Sequence, residues 1–207
     1  MKNLIIVGAG STARERLDAV KKINKVEKKW NIRGFISDNL DDLNNTECDY
    51  QVIDTIKNYI PTHNDVFVCG IAMPEAKEKV VNLLKSRGAK FETIIHPATV
   101  LGDFVSIGEG CYINGFISPN ARIGNFVSIM GSMVGGGAII GDFSTTTGFA
   151  NITSAKLGKG VFIGSHAVLL NNLTIGDNSL VGAGSVVVRN VKENTKVFGN
   201  PAKILRI

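Results

Sequence analysis

Residues 156–188 read KLGKGVFIGSHAVLLNNLTIGDNSLVGAGSVVV. An aliphatic side chain returns at every sixth position: Leu157, Ile163, Leu169, Ile175, Val181 and Val187. Self-similarity at a short fixed period is the mark of a repeat fold, and hexapeptides of this kind build a parallel β-helix. Three short strands make one triangular coil of about 18 residues. The aliphatic of each hexapeptide points inward and stacks on its counterpart one coil away, while small residues turn the corners. Upstream the beat continues through Leu101, Ile107, Ile113, Ile123 and Ile129, but with faults. Ile113 to Ile123 is ten residues, Ile129 to Val134 is five, and Thr146, Ile152 and Leu157 run six and then five. The coils between Ile123 and Leu157 therefore hold 17 residues each, and they carry Gly135–Gly137 and the run Ser144–Thr147. Either a site interrupts the stacking there or a tolerant corner has lost residues.

Before residue 97 the pattern changes. Lys2–Val7 is an apolar run ending at Gly8-Ala9-Gly10, and a helical pattern follows to about Lys22, with Ser11 or Thr12 as its cap. A strand, a glycine turn and a helix N-terminus form a phosphate-binding start, because glycines let the backbone approach and the helix end supplies N–H donors. The match to GxGxxG is partial, with Ala13 in the third place; the alternative is an ordinary tight βα turn. Ile32–Ser37 reads as a second strand closing on Asp38, whose carboxylate either accepts from a ribose or base or simply opens the polar loop 38–47. Asp65–Ile71 is a third strand, Pro74–Arg87 a helix closed at Gly88, and Phe91–Ile95 a last strand before His96-Pro97. Alternation of strands and helices predicts a small parallel α/β sheet, too short for two mononucleotide halves. The expected division is residues 1–97, α/β and Rossmann-like, and residues 98–207, an all-β parallel β-helix. The coils are expected to end near Asn190, with a tail turning at Gly199-Asn200-Pro201-Ala202 to cap the open end.

Composition narrows the classes. No apolar run approaches the 18 residues a membrane span needs. Met1–Gly10 resembles a short signal core but runs into Gly-Ala-Gly-Ser without a cleavage pattern. Cys48, Cys69 and Cys111 show neither metal-ligand nor CxxC spacing, which suits a reducing, cytoplasmic setting and no metal. The net charge of +5 is compatible with phosphate-bearing ligands without requiring them, and Lys21–Lys29 is a solvated helix end rather than a nucleic-acid patch.

The VGAG start, the IHP junction, the hexapeptides, GAGSVVV and GNPAK together cover nearly the whole chain. In this combination the chain resembles the sugar-nucleotide N-acyltransferases of the left-handed β-helix superfamily, which act on bacillosamine- and perosamine-type amino sugars, with sialic acid O-acetyltransferases as relatives. The resemblance implies a homotrimer and a direct transfer from acetyl-CoA, or a longer acyl-CoA, to the amine of a UDP- or dTDP-linked 4-amino-4,6-dideoxy sugar. It places the nucleotide sugar at Gly8, Gly10, Ser11 and Thr12, with Asp38 near the nucleoside. It places CoA beside Ser154, Ala155, Asn172, Gly182 and Ala183, with Arg189 and Lys203 for its phosphates.

The chain departs from the family at the chemistry. The family carries a histidine base and a carboxylate partner just before the VIGDF-type hexapeptide, here Ile139–Phe143; those positions fall on Gly136 and Gly137. A second family histidine falls on Thr145, an asparagine on Ile129 or Met130, and the usual Gly-His of the first turn is Ser11-Thr12. No histidine lies between His96 and His166. Three explanations stand. The substrate amine needs little help, because it is partly neutral near pH 7 and the departing thiolate can take the proton. Alternatively His166, in IGSHAVL on a β-helix strand, serves as base or is only a surface or trimer-interface residue. Or catalysis has been lost, leaving a trimeric binding protein. A hydroxyl acceptor needs a base far more than an amine does, so the missing histidine favours N- over O-transfer.

Overall fold

The computed structural model describes residues 1–205. The first unit contains β1 (Lys2–Val7), α1 (Ser11–Val26), β2 (Trp30–Ile36), β3 (Val52–Asp54), β4 (Asp65–Cys69) and α2 (Pro74–Ser86). Its strands are all parallel, in the order β3-β2-β1-β4. Alternation along β1 divides the core: Leu4 and Ile6 pack with Leu17 and Val20 of α1, while Ile5 and Val7 pack with Leu84 of α2. The helices therefore cover opposite faces of the sheet.

Several boundaries differ from expectation. Helix α1 runs to Val26, and its N-cap is the extended Gly10, so neither Ser11 nor Thr12 caps it. The Asn24 side chain organises its exit, accepting from Lys29 and Trp30 N–H and donating to Trp30 O. Strand β2 accordingly starts at Trp30 rather than Ile32. Strand β3 carries no sequence signal; three residues among polar neighbours are too few to show a period. The expected last strand of the sheet touches it only through a bridge between Phe91 and Phe67. Its end, β5 (Ile94–Ile95), pairs instead with the β-helix.

The β-helix continues through β6 (Val100–Leu101), β7 (Ser106–Ile107), β8 (Tyr112–Ile117), β9 (Arg122–Ile123) and β10 (Ser128–Val134), then ten two- or three-residue strands from Ile139–Ile140 to Lys196–Phe198. Its inward columns follow the register: Ile113, Ile129, Thr146, Ile163, Val181 and Val197 on one face; Ile117, Val134, Ile152, Leu169 and Val187 on the second; Ile107, Ile123, Ile140, Leu157 and Ile175 on the third. The step from Ile123 to Ile140 to Leu157 is 17 residues each time, as the spacing predicts. The fault at Ile113–Ile123 has a plain cause. Strands β8 and β10 each run continuously around a corner, with a register shift between Met130 and Ser132, so that corner uses fewer residues. Nor do the coils stop at Asn190: Val191 bridges to Ile175 and Val197 stacks on Val181, forming a further coil before an antiparallel strand, Lys203–Ile204.

The three faces differ outside. The first is covered above by the α/β unit, which meets Tyr112, Ser128 and Thr145. The second exposes an apolar row of Val100, Phe116 and Met133, flanked by exposed Leu170 and Val188. The third presents Ser106, Arg122, Ile139, Lys156 and Thr174. Three edges separate them: a phenylalanine edge (Phe126, Phe143) between third and first, a His166 edge (Gly131, Phe149, His166, Gly184) between first and second, and a Gly136 edge (Asn120, Gly137, Asn172) between second and third. All the corner residues named here take positive φ, from +55 to +72.

Candidate functional site

The carboxyl ends of β1, β2 and β4 are tied together by two glycines. Gly8 N–H donates to Ile36 O and Gly70 N–H to Val7 O, both at 2.8 Å. The strand order reverses between β1 and β4, which is where open α/β sheets hold ligands. A Cβ on Gly70 would lie 2.5 Å from the Ala13 Cβ, so α1 sits flush against the end of β4. Gly10 is exposed, and a Cβ there would meet nothing within 4 Å. With no side-chain cap on α1, its first N–H groups open onto this crevice. Arg14, one turn in, lays its guanidinium on Ala9 O at 3.1 Å and brings a cation to the glycine turn. Asp38 is exposed at the end of β2; the neighbouring loop is closed by Ser37 bonding to Asp42 instead. Gly8, Gly10, Ser11, Thr12 and Asp38 thus share one end of the sheet.

The start of α1 is held against the β-helix. Tyr112 donates its hydroxyl to Glu15 at 3.3 Å, and Arg16, fully buried, lies 3.4 Å above the Tyr112 ring. Desolvation pushes the Tyr112 phenol up to about 12, so it remains a donor. Tyr112 and Met130 each lie within two residues of the corner that becomes the His166 edge. On the other side of the sheet, Lys77 of α2 is buried and reaches Phe126 O (2.9 Å), Ser144 O (3.2 Å), Ser128 Oγ (3.2 Å) and Thr145 Oγ1 (2.9 Å). Burial pulls its ammonium down to about 7. Arg14, Arg16, Lys77 and Tyr112 are not among the residues the sequence singles out. Arg14 has a signal, four residues after Gly10 on a helix; the others act only across the seam between units, which no local pattern announces.

The positions onto which the resemblance would carry catalytic side chains are plain. Gly136 is exposed, and a Cβ on it would lie 3.5 Å from Pro119 O. Gly137 donates to Pro119 O at 3.1 Å, with φ +68 and open space where a Cβ would stand. Thr145 is buried, its hydroxyl given to Ala72 O. Ile129 points into the core and Met130 packs towards the α/β unit. His166 is not on a strand: it is an exposed corner residue with φ +59, its ring 5.3 Å from that of Phe149. A corner there suits a left-handed residue, and the strand resumes only at Val168.

The CoA candidates fall in three places. Ser154 and Asn172 are exposed on the Gly136 edge, while Ala155 beside them is buried, leaving only its backbone for a ligand. Gly182 and Ala183 lie on the His166 edge, one coil beyond Gly164. Arg189 and Lys203 come together, with Lys192, around a cavity of about 490 Å³ at the far end of the coils. Among the described residues no cluster of His, Cys, Asp or Glu is arranged to hold a metal, and no helix is long and apolar enough to cross a membrane.

Residues 3–84 match the PglD N-terminal domain model, and residues 154–189 match the bacterial transferase hexapeptide model of six repeats. The chain thus joins an N-terminal domain of the PglD type to bacterial-transferase hexapeptide repeats. Its coil is a left-handed hexapeptide-repeat β-helix joined to an N-terminal α/β domain. The chain superposes on WeeI from Acinetobacter baumannii AYE with a TM-score of 0.88 and 27% identity, over 99% of this chain and 100% of that one. It shares the fold of a mutant GDP-perosamine N-acetyl transferase from Caulobacter crescentus, solved with CoA and GDP-perosamine (TM-score 0.80, 21% identity, 100% and 98% coverage). Serine acetyltransferase 2 of Arabidopsis thaliana is 33% identical over 134 residues, which are 64% of this chain and 38% of that protein. The chain thus spans less than half the length of the curated relatives it matches first.

Proposed function

We propose that the protein transfers an acyl group from acyl-CoA to the amine of a nucleotide-linked 4-amino-4,6-dideoxy sugar. The observation that carries this reading is the union, in one chain, of a glycine-turn crevice at the β1/β4 switch point with a hexapeptide β-helix. The first suits a nucleotide diphosphate and the second an acyl-CoA. The solved relative with GDP-perosamine extends the nucleotide choice beyond UDP and dTDP to GDP.

In this mechanism the uncapped N–H groups of α1 and Arg14 take the phosphates, and Asp38 takes the nucleoside. The pantetheine arm lies along Ser154 and Asn172, and the basic end cavity with Arg189 and Lys203 takes the phosphates of CoA. The neutral amine attacks the thioester carbonyl, the C–N bond forms, the C–S bond breaks, and the amine proton leaves with the thiolate. Gly136 supplies no base, so rate comes from positioning, which alone is worth effective molarities on the order of 10⁵ M.

The active assembly is a trimer built on the second face. Val100, Phe116 and Met133 form an outward apolar row there, and a lone prism would leave this row in water. Sedimentation at micromolar concentration that gives a monomer would remove the trimer.

CoA release, measured across GDP-, UDP- and dTDP-linked 4-amino sugars with several acyl-CoAs, tests the reaction. Turnover with one nucleotide amino sugar is expected. Faster release with a sugar lacking the amine would favour O-transfer. Stabilisation by CoA and nucleotide without turnover would instead leave a binding protein.

A further inference from the structure

On the His166 edge the fold asks only for a residue that tolerates positive φ. Gly131 (φ +72) and Gly184 (φ +67) meet that demand at either end of the column. The two coils between them place Phe149 (φ +58) and His166 (φ +59) instead. A bulky side chain in this region is strained, and the strain is not offset within the chain, because Phe149 is 76% exposed. The contrast lies on the phenylalanine edge, where Phe126 and Phe143 accept the same strain and are buried against the α/β unit. Phe104, with φ +59 and 86% exposed, is the other phenylalanine left open at such a corner, on the Gly136 edge.

The proposed trimer shows what lies opposite. If the second face of each prism turns to a threefold axis, the two edges bounding that face meet as unlike edges. The His166 edge of one subunit then stands beside the Gly136 edge of the next. Rotation about the axis preserves height, and coils rise by about 4.8 Å. Phe149 follows Gly136 by less than one coil, so the ring stands within one coil of the space left open by Gly136 and Gly137. Those glycines have no side chain to fill it, and added Cβ atoms there would have room.

We propose that Phe149 forms, in trans, the apolar wall of the acyl pocket, standing in the space vacated at Gly136 and Gly137 of the neighbouring subunit. The inference rests on the acyltransferase reading and names its donor: an acyl-CoA whose chain is longer than acetyl. The ring then replaces the missing family side chains as a surface for the chain's methylenes and adds no proton-transfer group. The His166 ring stands beside it, tilted by 39° with centroids 5.3 Å apart.

Phe149→Gly tests this without risking the fold, since it copies Gly131 and Gly184 and relieves strain. The readout is kcat/KM for a four-carbon acyl-CoA divided by that for acetyl-CoA, with sedimentation in parallel. The wild-type protein is expected to favour the four-carbon donor. The variant is expected to remain trimeric and to lose about tenfold of that ratio, since each methylene against an apolar wall is worth a factor of several. A ratio unchanged in the variant overturns the proposal and leaves the acyltransferase reading intact. So does a wild-type preference for acetyl-CoA. A variant that falls to monomers also overturns it, because the ring would then hold the subunits together rather than shape the acyl pocket. A wild-type protein that consumes no acyl-CoA at all removes both readings together.

Discussion

Lys77 Nζ donates to Thr145 Oγ1 at 2.9 Å, and the Thr145 hydroxyl in turn donates a hydrogen bond to Ala72 O at 2.6 Å. One hydroxyl thus ties both α2, through Lys77, and the β4–α2 connection, through Ala72, to the β-helix. Phe126 O, Ser144 O and the committed Thr145 oxygen can only accept, so three N–H donors are in use. Lys77→Ala leaves these acceptors buried without donors, at about 1–3 kcal/mol for each one that water cannot reach. A loss of several kcal/mol in denaturant unfolding is expected. A loss below about 1 kcal/mol would mean the seam is wet.

The same lysine sets a pH dependence. Its folded pKa is lowered, chiefly by desolvation, to about 7 from the ordinary 10.5. A base whose folded pKa is depressed costs stability in its charged form. The cost is absent above the unfolded pKa, grows as pH falls from about 10.5 to about 7, and is constant below. Wild-type protein should therefore gain stability relative to Lys77→Met as pH rises through that window, by up to about 1.4 kcal/mol per unit. Parallel stability curves for the two proteins would contradict it.

Gly10→Val is a clean probe of the nucleotide crevice. Gly10 has φ −67 and ψ −176, which any residue adopts, and a Cβ there meets nothing. The variant is expected to keep its melting temperature and to lose at least about tenfold in nucleotide-sugar affinity, because the branched side chain blocks approach to the first N–H groups of α1. Unchanged affinity would move the phosphates elsewhere. Arg14→Ala should weaken binding too, and more so at low salt.

Binding of CoA should weaken as salt rises if Arg189 and Lys203 hold its phosphates. The double variant Arg189→Ala, Lys203→Ala should bind less tightly and show a shallower salt dependence. A dissociation constant indifferent to salt in both proteins would take these residues off the site.

Turnover driven by the substrate amine should rise with pH to the amine pKa and then level. In His166→Asn the loss at saturating substrates should stay within about tenfold, below what a general base supplies. A loss of about 10²-fold or more, with folding and CoA binding intact, would make His166 the base.

Particular residues show what is legible. The aliphatic columns from Leu157 to Val187 announce the coil and its register, because each inward side chain is a local demand repeated in sequence. Gly8-Ala9-Gly10 announces the crevice for the same reason. The corner placement of His166 is not visible, since a histidine in IGSHAVL fits strand or corner equally until neighbouring coils fix the turn. Strand Ile94–Ile95 reads as part of the wrong sheet because its apolar run serves either. Lys77 and Arg16 carry no signal at all: charged residues on amphipathic helices look solvent-facing until a second unit covers them.

The reversed strand Lys203–Ile204 has one more consequence. A parallel solenoid offers each end as a template for another molecule's coil, and stacking of that kind has no natural limit. Here the last coil's Val197 and Phe198 are paired antiparallel to Ile204 and Lys203. An incoming chain would find part of that edge occupied by a strand of the wrong direction, bearing a lysine. Two residues of antiparallel backbone thus oppose coil-on-coil stacking at this edge.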